Sequence, residues 1–167
     1  AAALARLVPP SVSIVGLFVN ASAEQVRQTL AAVPIHLLQF HGDEDDAWCK
    51  QFDRPFIKAA RVRAGIDLLQ YAADFPSAQA LLLDAFVEGY GGGGKVFDWT
   101  LIPPHFPRPL ILSGGLDATN VGTAIQRVAP AAVDVSSGVE AAKGIKDAEK
   151  VRAFVAAVRY ATGKTGN

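Results

Sequence analysis

Six short apolar runs alternate with amphipathic stretches along the chain, and this alternation limits the possible folds more than any other feature. The runs are Val12 to Val19, His36 to Phe40, Phe56 to Arg61, Ala80 to Asp84, Leu110 to Ser113 and Ala132 to Ser136. Most are apolar on both faces, as strands covered from both sides are. Helical signals fill the intervals. Ser22-Ala23-Glu24-Gln25 fits a capping box ahead of Val26, Leu30 and Val33. Thr119-Asn120 precedes the stripe Val121, Ala124, Ile125 and Val128, and Asp147 opens a last helix carrying Val151, Phe154, Val155 and Val158. Asp43 to Phe52 and Ile66 to Ala73 are weaker, shorter helical patterns, and Ala1 to Leu7 reads as a helix tail. The proline run from Pro103 to Pro109 reads as a stiff connector.

Six consecutive βα units predict a parallel sheet with right-handed crossovers. An open doubly wound sheet and a barrel both satisfy that pattern. Asn20, His41, Arg61, Asp84, Ser113 and Ser136 discriminate, because each puts a polar group at or just past the C-terminal end of a strand. A barrel gathers all such ends around one site, whereas an open sheet uses only those beside its switch point. The expected fold is therefore a TIM (β/α)8 barrel, with about six of its units present, as one incomplete domain over residues 1–167.

Composition sets the outer bounds. A chain of 167 residues can bury a proper core, and its 16 basic and 16 acidic residues leave no net charge. That balance argues against a nucleic-acid surface. No apolar run reaches the roughly 18 residues of a spanning helix, and Ala1 to Pro10 lacks the features of a signal peptide. One cysteine, Cys49, excludes an internal disulfide and any multi-cysteine metal site. The expectation is a soluble, cytoplasmic protein with no nucleic-acid or membrane partner.

Several strand ends carry chemistry. Ser113-Gly114-Gly115-Leu116 and Ser136-Ser137-Gly138-Val139-Glu140 follow successive strands. Small residues and glycine there let backbone N–H groups approach an anion, and barrels commonly bind phosphate in the loops after their last two strands. The plainer alternative is two tight turns that need positive φ. Asp84 ends Leu81-Leu82-Leu83, so its carboxylate suits a general acid at a partly desolvated barrel mouth, or else an ordinary helix cap. Glu88 to Lys95, rich in glycine, reads as a loop closing over substrate or as a slack surface loop, since it lacks the Ser/Thr of a P-loop. The acidic run Asp43-Glu44-Asp45-Asp46 reads as a helix start complementing the dipole, not as a metal site. Cys49 reads as a packed thiol, and Phe97-Asp98-Trp99 as a packing and capping element.

Taken in order, these segments resemble the phosphoribosylanthranilate isomerase family of tryptophan biosynthesis. The resemblance runs through Val15-Gly16-Leu17-Phe18-Val19-Asn20, Leu37-Leu38-Gln39-Phe40-His41-Gly42-Asp43-Glu44, Ile57-Lys58-Ala59-Ala60-Arg61-Val62 and Leu82-Leu83-Asp84. It continues through Gly92 to Trp99, Ser113 to Leu116 and Asp134 to Glu140. It implies an Amadori rearrangement of a small-molecule phosphosugar, N-(5-phosphoribosyl)anthranilate, with no cofactor and no metal. It also implies Asp84 as the general acid and Gly114, Gly115, Ser137 and Gly138 as the phosphate loops. Gln39, His41 and Asp134 fall near the substrate on the same ground.

The family's general base, a cysteine on a first strand, and an arginine after a second have no counterpart in these 167 residues. This implies an impaired enzyme whose open barrel edges favour self-association. Indole-glycerol-phosphate synthase would want lysines at strand ends, and Lys58 lies three residues short of one. A metal-dependent ribulose-phosphate epimerase would want His and Asp ligands that are not present. A non-catalytic fragment that keeps its phosphate site is the rival from outside enzymology.

Overall fold

The computed structural model describes residues 1–85 and 97–163. Eight strands and six α-helices lie in them. A first turn of helix, α1 (Ala2–Ala5), leads to β1 (Val15–Phe18), α2 (Ala23–Ala32), β2 (Leu37–Phe40), α3 (Asp46–Cys49), β3 (Phe56–Val62), α4 (Leu68–Asp74) and β4 (Ala80–Ala85). Beyond the glycine-rich stretch come β5 (Leu110–Leu112), α5 (Val121–Val128), β6 (Ala132–Val133), a hairpin of β7 (Glu140–Ala142) and β8 (Ile145–Lys146), and α6 (Ala148–Ala161).

The main sheet runs β1-β2-β3-β4-β5-β6, in strict chain order. The β1–β2, β2–β3 and β5–β6 ladders are parallel, with Leu17 opposite Gln39, Gln39 opposite Ile57 and Ile111 opposite Ala132. A doubly wound sheet reverses its order at a switch point, and this one never does. The barrel-type order decides between the two architectures the sequence allows.

Apart from Lys58 and Arg61 in β3 and Asp84 in β4, the central strands are apolar, because both faces are covered. β3 is buried at six of seven positions and β4 at five of six, leaving only Arg61 and Asp84 half-buried. The outer strands are shorter than their apolar runs predict. Val12 to Val19 yields a strand only at Val15–Phe18, and Ala132 to Ser136 only at Ala132–Val133. Ladder hydrogen bonds, not side-chain apolarity, define a strand, and an outer strand has a partner on one side only.

Residues 1–60 with 70–81 form one compact unit, and 61–69 with 82–167 form another. The first is built around Phe40, whose ring meets Trp48, Phe52 and Phe56 at 5.3 to 5.9 Å. In the second, α5 packs on α6, burying Val121, Ala124 and Phe154.

Caps form as the sequence predicts. Ser22 and Gln25 exchange both bonds of the capping box (3.2 and 2.8 Å). Asp147 accepts the N–H groups of Glu149 and Lys150 at 2.8 and 3.0 Å, and Asp98 caps the short turn Trp99–Leu101. The hairpin β7–β8 has no sequence signal, because its five strand residues are too few to show a period.

Candidate active site at the strand ends

In the second unit, β4 and β5 bring Asp84 and the first glycine turn together. Ser113 N–H donates to Leu83 O at 2.9 Å, extending that ladder past β5. The next residue, Gly114, has a φ of 82°, so the chain turns in a region that disfavours every residue with a Cβ. A Cβ at Gly114 would run into the backbone nitrogen of Ala85 and sit 2.8 Å from Oδ1 of Asp84. The glycine thus presses bare backbone against the half-buried carboxylate. Gly115 is left-handed too, at 65°.

The second turn meets the first from β6. Ser137 to Val139 form a single 3-10 turn, and a Cβ at Gly138 would collide with the carbonyl oxygen of Leu116. Among the described residues, nothing accepts the N–H groups of Gly114, Gly115, Ser137 or Gly138. Unspent donors at abutting glycine turns are what an anion needs. Gly138→Ala must separate the two loops, and KM for a phosphorylated substrate is expected to rise roughly tenfold, a loss of about 1.4 kcal/mol. Unchanged initial-rate kinetics would remove Gly138 from the site.

Asp134 lies just past β6, exposed, with Oδ2 accepting the hydroxyl of buried Ser113 at 2.9 Å. One of its oxygens is therefore tied to the turn it faces.

Asp117, Asn120 and Lys146, to which the sequence reading gave no part in the site, organise these loops. Asp117 Oδ1 accepts from Thr119 N–H (2.7 Å), Thr119 Oγ1 (2.6 Å) and Asn120 N–H (3.1 Å). The Thr119 hydroxyl, with the two backbone bonds, outweighs partial burial and holds the Asp117 carboxyl below its ordinary value. Asn120, at the start of α5 but with no side-chain cap bond, donates to Gly115 O at 2.9 Å and accepts from Asp117 N–H at 3.0 Å. The Asp-x-Thr-Asn spacing is the signal that could have shown this. Lys146, from β8, donates to Ser136 O at 2.9 Å and pairs with Glu140 at 2.8 Å. That bond, first among its causes, lowers the Glu140 carboxyl from its ordinary value.

Gln39 and His41 lie in the first unit, at the end of β2, both half-buried. His41 N–H donates to Phe18 O at 2.9 Å. The acidic run beside them is not a uniform helix start. Only Asp45 caps α3, accepting Trp48 N–H at 2.7 Å, while Asp46 accepts Ser77 N–H and hydroxyl at 2.9 and 2.7 Å. Asp43 accepts Asn20 Nδ2 at 3.0 Å, and Glu44 turns inward to Lys58. The helix consequently starts at Asp46, three residues later than its pattern suggests.

Cys49 is fully buried on α3. Burial pushes its thiol up to about 12, with Glu44, Asp46 and Asp45 reinforcing the shift and Lys58 opposing it. Such a thiol is neither a nucleophile nor a base near neutral pH. A disulfide reagent is expected to leave it unmodified until the protein unfolds, and Cys49→Ala to keep kcat within about twofold of the parent. Fast labelling of the folded protein would contradict its burial.

Glu88 to Lys95 fall outside the described residues. A cavity of about 660 Å3 lined by Trp99, Pro104, Phe106, Leu110 and Val128 opens at the N-terminal end of β5, away from the glycine turns.

Known proteins carry this architecture. The sequence model of the N-(5'phosphoribosyl)anthranilate (PRA) isomerase family matches residues 1–157. The N-(5'-phosphoribosyl)anthranilate isomerase of Dechloromonas aromatica (strain RCB) is 65% identical over 161 residues, which cover 96% of this chain and 77% of that protein. Among solved structures, phosphoribosyl anthranilate isomerase from Thermotoga maritima has a TM-score of 0.84 at 39% identity, covering 96% of this chain and 78% of that one. A phosphoribosyl anthranilate isomerase in complex with reduced 1-(o-carboxyphenylamino)-1-deoxyribulose 5-phosphate has a TM-score of 0.78 at 35% identity, covering 96% and 77%. Likeness of this extent over nearly the whole chain, on a sheet of barrel-type strand order, identifies it as a member of the N-(5'-phosphoribosyl)anthranilate isomerase family.

Proposed function

We propose that Asp84 is the general acid of the isomerisation carried out by this family, and that the turns at Gly114-Gly115 and Ser137-Gly138 hold the substrate's phosphate. The reaction converts N-(5-phosphoribosyl)anthranilate into 1-(2-carboxyphenylamino)-1-deoxyribulose 5-phosphate, a step of tryptophan biosynthesis. Opening the furanose requires a proton on the ring oxygen as its bond to C1 breaks, with the anthranilate nitrogen lone pair forming a C=N bond. A base then removes the C2 proton, and the resulting enolamine becomes the ketone. An acid and an anion site are the parts this chain must supply.

The observation that carries the reading is Gly114, whose missing side chain lets the first glycine turn close on Asp84. The acid and the first phosphate turn then lie side by side, packed together where β4 and β5 end. Because Cys49 is buried and protonated, it is not the base. Gln39 and His41 belong to the substrate-binding surface in this reading, and Asp134 positions Ser113. Turnover with phosphoribosylanthranilate, followed by loss of its fluorescence, tests the assignment. Phosphate-analogue binding by a parent that shows no turnover would favour the non-catalytic reading.

Self-association through the outer strands belongs to the same proposal. Val15 and Leu17 on β1 are 44% and 56% exposed, more than a covered strand allows. Sedimentation velocity is expected to show a dimer or larger species, and a strict monomer at micromolar concentration would dismiss this part. Among the described residues no helix is long and apolar enough to cross a membrane. We place the enzyme in the cytoplasm, since a phosphorylated, charged substrate does not cross a bilayer unaided.

A further inference from the structure

Glu44 and Lys58 are the only buried charged side chains among the described residues, at 8% and 1% exposure. Neither belongs to the acid or the phosphate turns. Together they hold the backbone where β1 and β2 end. Oε1 of Glu44 accepts Asn20 N–H at 2.7 Å, and Oε2 accepts Gly42 N–H at 3.0 Å and Lys58 Nζ at 2.9 Å. Lys58 Nζ also donates to Gly42 O at 2.7 Å, and the Phe75 ring lies 5.3 Å from it. Asn20, left-handed at a φ of 51°, closes the far side by accepting Asp43 N–H at 2.7 Å. A Cβ on Gly42 would collide with the Asn20 side chain, so the loop has no slack.

Both polar groups of Gly42 are therefore gripped by charged side chains, one residue beyond His41. Burying an ion pair gains little stability over well-packed apolar residues. What it adds is direction, since charge-assisted bonds are short and fix the groups they hold. We propose that the Lys58–Glu44 pair is a positioning device that locks the His41–Gly42 peptide and so aims the His41 imidazole at the substrate. The proposal rests on the reading of His41 as a substrate-side residue. Lys58 and Glu44 touch no reacting atom and are positioning residues.

The test uses Lys58→Met in the whole protein, studied well below its melting temperature, with Lys58→Met/Glu44→Gln as the second variant should the first not fold. Two readouts do not depend on turnover. One is the Cε1–H resonance of His41, and the other is the Kd of the reduced product analogue, measured by fluorescence titration. The expected result is a displaced or broadened His41 resonance together with a Kd raised about tenfold. Lost thermal stability with both readouts at their parental values would overturn the proposal and leave a purely structural ion pair. His41→Ala with a parental Kd would overturn it by another route, by removing His41 from the substrate surface. Absent turnover in the parent bears on the isomerase reading alone, because neither readout needs it.

Discussion

Asp84→Asn is expected to lower kcat for phosphoribosylanthranilate by about 10²- to 10⁴-fold, the range removed with a general acid. The substitution keeps size and shape at a half-buried position in β4, so neither the strand nor the Gly114 turn resting on it has reason to move. The neutral amide has no proton to give the ring oxygen. KM should change by less than about threefold, because the phosphate donors belong to other residues. Stopped-flow or steady-state loss of substrate fluorescence decides the matter, with circular dichroism to verify the fold. A kcat within about threefold of the parent would sink the assignment of Asp84, while leaving family membership and fold untouched.

The largest expected effect on stability is at Lys58. Removing one partner of a buried ion pair strands the other charge, and the usual cost is about 3–5 kcal/mol. Against a total stability of about 5–15 kcal/mol, that is a severe loss. At neutral pH Lys58→Met should melt roughly 6–20 °C below the parent.

The effect should depend on pH in a defined direction. Burial is the largest influence on Glu44 and disfavours its charged form. The bond from Lys58, the backbone N–H groups and the charge of Lys58 together outweigh it, so the carboxyl lies below its ordinary 4.5. A group lowered on folding stabilises the protein above its unfolded pKa, and that contribution disappears as pH falls through the folded value. Removing Lys58 takes away two of the influences that lower the carboxyl and leaves burial, the largest, in place, so the carboxyl is expected to be raised. The variant is then penalised as pH climbs through that raised value and relieved below about 4.5. The gap in melting temperature between parent and variant should be wide at pH 7 and narrow below that point. A gap independent of pH would show that lost packing around the lysine stem, and not the stranded carboxylate, causes the effect.

Glu44 also shows where sequence reasoning stops. Four acidic residues in a row read as a helix start, and for Asp45 that is right, because a cap is a bond to a residue three positions away. Glu44 answers instead to Lys58, fourteen residues on, and Asp46 to Ser77, thirty-one residues on. Nothing local separates these carboxylates. The same holds at Lys58, whose place inside a strand is legible but whose counter-charge is not.

Periodicity and short-range hydrogen bonding act over one to four residues, so the sequence by itself determined the βα alternation, the caps at Ser22, Asp98 and Asp147, and the polar residues at strand ends. The glycine turns were legible for a related reason, since Gly114 and Gly115 take left-handed angles that disfavour a Cβ and Gly138 lies too close to the Leu116 carbonyl to carry one. The tertiary structure alone decided the strict strand order, the shortness of β1 and β6, the inward turn of Glu44 and the meeting of Gly114 with Asp84. Each depends on which distant segment lies alongside, and thus on what is buried together. Burial sets whether a charge must be paired, whether a thiol can ionise and whether a glycine has any alternative, and it exists only once the chain has packed.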